Sequence, residues 1–92
     1  MNVLKTFKGL LNKLHAIQKK ALETDIRITI DVTKYDPNNQ CIFVMINHVN
    51  STDYIYYYFS QWRLAYSPED ESSMEMEFNR LTNKLKEWNL LK

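Results

Sequence analysis

The chain is expected to be α+β, in the order α-β-β-β-α, with a three-stranded antiparallel meander and two helices packed on one face. Three observations predict this. Residues 25–59 hold three strand-like runs separated by two polar turns. The segments on either side carry apolar residues at helical spacing. Both strand connections are short, which favours antiparallel pairing of sequence neighbours in the order one-two-three.

The first helix is expected over residues 2–22. Val3, Phe7, Leu10, Leu14, Ile17 and Ala21 step by four and three, and Leu4, Leu11 and Leu22 widen that stripe. Asn2 suits the N-cap, and Gly9 weakens the interior by about 1 kcal/mol relative to alanine. The lysines fall mainly off the stripe, so this is a core-facing helix with a basic outer face.

Strands follow at about 25–34, 40–47 and 53–59, the last with a possible continuation to 66. In the first, Ile26, Ile28, Ile30 and Val32 alternate with Arg27, Thr29, Asp31 and Thr33, the period of two that a half-buried strand requires. The second, Cys41 to Ile46, is apolar on both faces. In the third, Tyr54, Tyr56 and Tyr58 share one face and Ile55, Tyr57 and Phe59 the other. Pro37 with Asn38 and Asn39 supplies the first turn, and residues 48–53 supply the second.

A second helix is expected over residues 68–89. Ser67 suits its N-cap and Pro68 its first position, while Glu69, Asp70 and Glu71 complement the positive end of the dipole. Met74, Phe78, Leu81, Leu85 and Trp88 form its stripe, and Arg80, Lys84 and Lys86 gather toward its C-terminal end. In a meander the two helices run parallel to each other, which would bring Lys5 and Lys8 near Glu71 and Glu75.

Length and composition set the scale. Ninety-two residues with 45% hydrophobic and 13% aromatic content describe one globular domain rather than a disordered tail. A formal charge of +1 supplies no general attraction to phosphate or membrane. The N-terminal segment lacks the pattern of a secretory leader, and no run approaches the length of a membrane span. The cytoplasm is the expected location, and Asn50-Ser51-Thr52 reads as a polar turn rather than a glycosylation site.

Chemical motifs are sparse. With one glycine there is no phosphate-binding loop. His15 and His48 have no metal-ligand spacing with Cys41 or with paired carboxylates, so no metal or cofactor is expected. Cys41 is the only cysteine and reads as a small hydrophobe. Asp31 and Asp53 read as solvated carboxylates, and catalysis is not expected. The element order is shared with the double-stranded RNA-binding domain, which grips RNA with its first helix, its first strand connection and a basic start to its last helix. Here that last helix starts with Glu69, Asp70 and Glu71, so the likeness is one of topology and transfers no residue.

Two strands that are apolar on both faces leave a second face to cover. The expected register places Phe43 and Met45 under the helices with Ile28 and Ile30, turning Ile42, Val44 and Ile46 outward. Residues 60–66, a second copy of the chain, or another protein would then cover them. Tyrosine, tryptophan and arginine carry interface energy. The candidate interaction face is therefore Ile42, Val44, Ile46, Tyr54, Tyr56, Tyr58, Trp62 and Arg63, and Val44→Glu should harm assembly more than folding.

These features suggest a small non-catalytic protein-interaction module. It would act as a homodimer or as a stoichiometric binder or inhibitor of another protein, in the style of a phage or mobile-element accessory product. The alternative is a nucleic-acid-binding accessory protein using Lys5, Lys8, Lys13, Lys19 and Lys20.

Overall fold

The computed structural model describes residues 7–36, 39–62 and 68–91, with backbone alone at 36, 39, 61–62 and 68–73. The order is α1 (Phe7–Ala21), β1 (Ile26–Asp36), β2 (Asn39–His48), β3 (Ile55–Trp62) and α2 (Pro68–Glu87). The three strands form one antiparallel sheet in the order β1-β2-β3. The α+β meander expected from the periodicities is the observed fold. The expected caps at Asn2 and Ser67 lie outside the described residues, and Pro68 opens α2 as its first helical residue.

Both helices rest on the same face of the sheet, α1 beside β1 and α2 beside β3. Phe7, Leu10, Leu14, Ile17 and Ala21 bring the stripe of α1 to that face, and Met74, Leu81 and Leu85 bring that of α2. The sheet answers with Ile26 and Ile28 from β1, Ile42, Val44 and Ile46 from β2, and Tyr57 and Phe59 from β3. Each such aliphatic side chain contributes about 1.5–3 kcal/mol when fully buried, so this single layer holds the fold together.

The helices run in the same direction. Trp88, just past the end of α2, packs on His48 with ring centroids 4.2 Å apart. His48 is the ladder partner of Ile26, which opens β1 after the four-residue connection from the end of α1. Both helix C-termini therefore lie at one end of the sheet, as a meander of three strands dictates. Lys8 and Glu75 are exposed near the other end and no ion pair joins them, while Lys5 and the Glu71 side chain lie outside the described residues.

Local chemistry ends each helix cleanly. After α1, Thr24 Oγ1 donates to the Ala21 carbonyl at 2.8 Å and accepts from the Ile26 amide at 3.1 Å, joining helix end to strand start. After α2, Asn89 adopts a left-handed φ of 64°. Its amide donates to Lys86 O and the Leu90 amide to Leu85 O, which is the paired hydrogen-bond pattern of a Schellman cap. Asparagine tolerates that conformation where most residues would not.

One irregularity sets the faces of the sheet. From Ile26↔His48 to Lys34↔Gln40 the paired residue numbers sum to one value, but Asp36↔Asn39 shifts by one. Tyr35 is the extra residue, a bulge next to the turn. Continuing the turn's own register without a bulge would oppose Ile30 to Met45 and Val32 to Phe43, the arrangement expected above. The bulge moves the register one residue, and because side chains alternate, that reverses the two faces of β2. Ile30 instead faces Val44, and Val32 faces Ile42.

Candidate interaction face

With the register fixed, the assignment of Ile42, Val44 and Ile46 to an outer face is corrected. All three are 0% exposed and lie beneath the helices. Val44→Glu would put a carboxylate into the core and unfold the chain, so that substitution does not isolate assembly. The outward residues of β2 are Phe43 and Met45, which the sequence reading had placed inside.

Phe43 is 40% exposed, Tyr56 52% and Tyr58 51%. The ladder places Phe43 directly opposite Tyr58 and Met45 opposite Tyr56, so these chains share one face. The Phe43 ring lies 5.5 Å from that of Tyr56, tilted by 50°, and 6.3 Å from that of Tyr58, near edge-on at 67°. Such aromatic pairs contribute about 0.5–1.5 kcal/mol beyond simple burial, enough to hold a patch in shape without covering it. Tyr54 is exposed just before β3. The Trp62 side chain and Arg63 lie outside the described residues.

The patch has a polar border on β1. Arg27, Thr29 and Asp31 stand on the same face and are exposed. Thr29 is opposite Met45, and Asp31 is opposite Phe43. Neither Arg27 nor Asp31 makes an ion pair or a side-chain hydrogen bond among the described residues. The near end of the patch is closed differently. Cys41 is buried there, its thiol hydrogen-bonded with the Tyr35 hydroxyl at a sulfur-length 3.8 Å. Hydrogen bonding to that thiol pushes the phenols of Tyr35 and Tyr58 above the ordinary tyrosine range.

The outer edges of the sheet are blocked at specific groups. On β1, Gln18 Nε2 donates to the Ile28 carbonyl at 2.9 Å, and Thr24 takes the Ile26 amide. On β3, the Tyr58 amide donates to Glu77 Oε2 at 3.0 Å. Glu77 is itself held by Arg80, whose guanidinium also lies 5.0 Å from the centre of the Tyr57 ring. Side chains from each helix thus occupy backbone groups that would template another strand.

The lysines of α1 do not form one surface. Lys8 and Lys19 fall nearly on one line, and Lys13 and Lys20 on another about 120° around the helix, given about 100° per residue. Lys13 and Lys20 border a groove of about 510 Å³ between the helices, with Ile17, Phe78 and Leu91 among its lining. All four described lysines are on the helix side of the sheet, away from the aromatic patch. Lys5 lies outside the described residues. Among the described residues no cluster of three histidine, cysteine or acidic side chains is placed to hold a metal ion. No described helix is long and apolar enough to cross a membrane.

The aromatic residues of β3 were identifiable from their alternation, but Phe43 was missed. The signal that would have found it is the bulge, and a tyrosine between Lys34 and Asp36 does not announce one. Compared with family models, with curated proteins and with solved structures, the chain matches none. The element order shared with the double-stranded RNA-binding domain therefore remains a likeness of order alone.

Proposed function

We propose that this protein is a small non-catalytic interaction module that docks a protein through its open sheet face. The observation that carries the reading is the half-exposed aromatic cluster of Phe43, Tyr56 and Tyr58, on the face opposite the apolar cluster beneath the helices. Large aromatic side chains left half-exposed around a central ring, beside exposed polar groups, have the make-up of a protein interface. A partner that is another copy or a different protein fits this reading, and a stoichiometric inhibitor of an enzyme is one form it would take. The cytoplasm is its proposed location.

Nucleic acid fits the same surface less well. Platforms that stack bases combine aromatic rings with a basic groove along the backbone path. Here the charges bordering the rings are one arginine and one aspartate, and the lysines of α1 lie on the other side of the sheet.

The test replaces Tyr56, in one protein, and Lys13, in another, with a photo-cross-linking amino acid and irradiates cells expressing each. The expected result is a discrete protein adduct from position 56 that resists nuclease. Adducts from position 13 alone, or nuclease-sensitive adducts from position 56, would overturn the reading.

A further inference from the structure

We infer that the partner of the open face is a second copy of this chain, packed face to face about a two-fold axis that crosses the strands at Thr29. This rests on the open face being a protein-docking surface and goes further by fixing the occupant and its register. The argument begins with charge. Arg27 and Asp31 are both exposed, both unpaired among the described residues, and placed two residues on either side of Thr29 on one strand. At about 3.4 Å per residue, each stands roughly 7 Å from the level of Thr29.

A two-fold axis lying in the interface and running across the strands at that level exchanges the two positions. Arg27 then meets the partner's Asp31, and Asp31 meets the partner's Arg27. An isologous interface requires this kind of self-complementarity, because every contact is made twice. A surface of one sign would repel its copy, whereas this strand carries one exposed charge of each sign on this face.

The uncharged residues suit the same axis. The row through Thr29 continues into Met45 and Tyr56, so an adaptable thioether and an aromatic ring would lie on the axis, each against its own equivalent. The neighbouring row of Asp31, Phe43 and Tyr58 meets the partner's row of Arg27 and Asn47, the latter buried and tied into the turn at His48 and Ser51. The alternative route to a symmetric sheet dimer, edge pairing, is obstructed by Gln18 and Thr24 on β1 and by Glu77 on β3. Two sheets stacked face to face with strands nearly aligned remain, the packing of a sandwich.

The test is a charge exchange read by sedimentation equilibrium. Arg27→Asp places aspartates opposite aspartates, and Asp31→Arg places arginines opposite arginines, so each variant alone should self-associate at least about tenfold more weakly than the natural chain. Mixed together, the two variants are complementary at both contacts and should form a heterodimer. The double variant R27D/D31R restores opposite signs and should dimerise again, which also shows that both substitutions are compatible with folding. A natural chain that stays monomeric at high concentration would overturn the inference. So would single variants that associate normally, or a mixture that does not.

Failure here is separable from failure of the docking reading. A position-56 adduct whose mass is not twice that of the chain removes the second copy and keeps the docking face. An absence of any protein adduct at that position removes both.

Discussion

Tyr57 illustrates how much one side chain does in a sheet of three strands. Its ring is buried beneath the helices and capped by the Arg80 guanidinium. Burial pushes its phenol above the ordinary tyrosine range, Arg80 opposes that shift, and Glu77 and Glu87 add to it. The neutral phenol is therefore the form the fold favours. Its contribution is complete below the unfolded value of about 10 and is lost as pH rises through the higher folded value. Urea midpoints measured between pH 8 and 11 should fall more steeply for the natural chain than for Tyr57→Phe, which keeps the ring and loses the ionisable group. Equal slopes would assign the alkaline loss to other groups. Asn47 works by hydrogen bonding instead. Fully buried, it donates from Nδ2 to the carbonyls of His48 and Ser51, closing the turn before β3. Its Oδ1 finds no partner among the described residues, a cost of about 1–3 kcal/mol that the turn and core must offset.

At the scale of elements, the decisive feature is the Tyr35 bulge. Residues 26–34 of β1 already pair regularly with residues 40–48 of β2, and the extra residue is absorbed beside the turn. Deleting Tyr35 should therefore leave the core register intact, lower stability by no more than about 2 kcal/mol, and make the Cys41 thiol react faster with a disulfide reagent. Loss of native near-ultraviolet dichroism in that deletion would mean the bulge does more than adjust register. The same feature explains what could be read from the sequence. Helical and alternating periodicities placed all five elements, and they placed Ile55, Tyr57 and Phe59 opposite Tyr54, Tyr56 and Tyr58. They did not decide which face of β2 was inner, because Ile42, Val44 and Ile46 are as apolar as Phe43 and Met45 together. Where both faces of a strand are hydrophobic, parity comes from the hairpin, and a one-residue bulge is invisible to hydropathy. Three of the eight candidate residues, Ile42, Val44 and Ile46, were misassigned for that reason.

For the whole molecule, the asymmetry of covering is the functional argument. The main apolar cluster sits between the sheet and the two helices, with only Cys41 and Asn47 buried on the other face among the described residues. Helix side chains also block groups on both sheet edges. The opposite face is left with aromatic rings, a methionine and two charges unpaired among the described residues. The central claim is that this face, rather than the lysine-bordered groove or the edges, is where the protein associates. A dilution series of amide nitrogen–proton spectra tests it most directly. The account predicts concentration-dependent shifts centred on Thr29, Phe43, Met45, Tyr56 and Tyr58, with α1 unaffected. Shifts centred on Lys13, Ile17 and Phe78, or no shifts at any concentration, would contradict it.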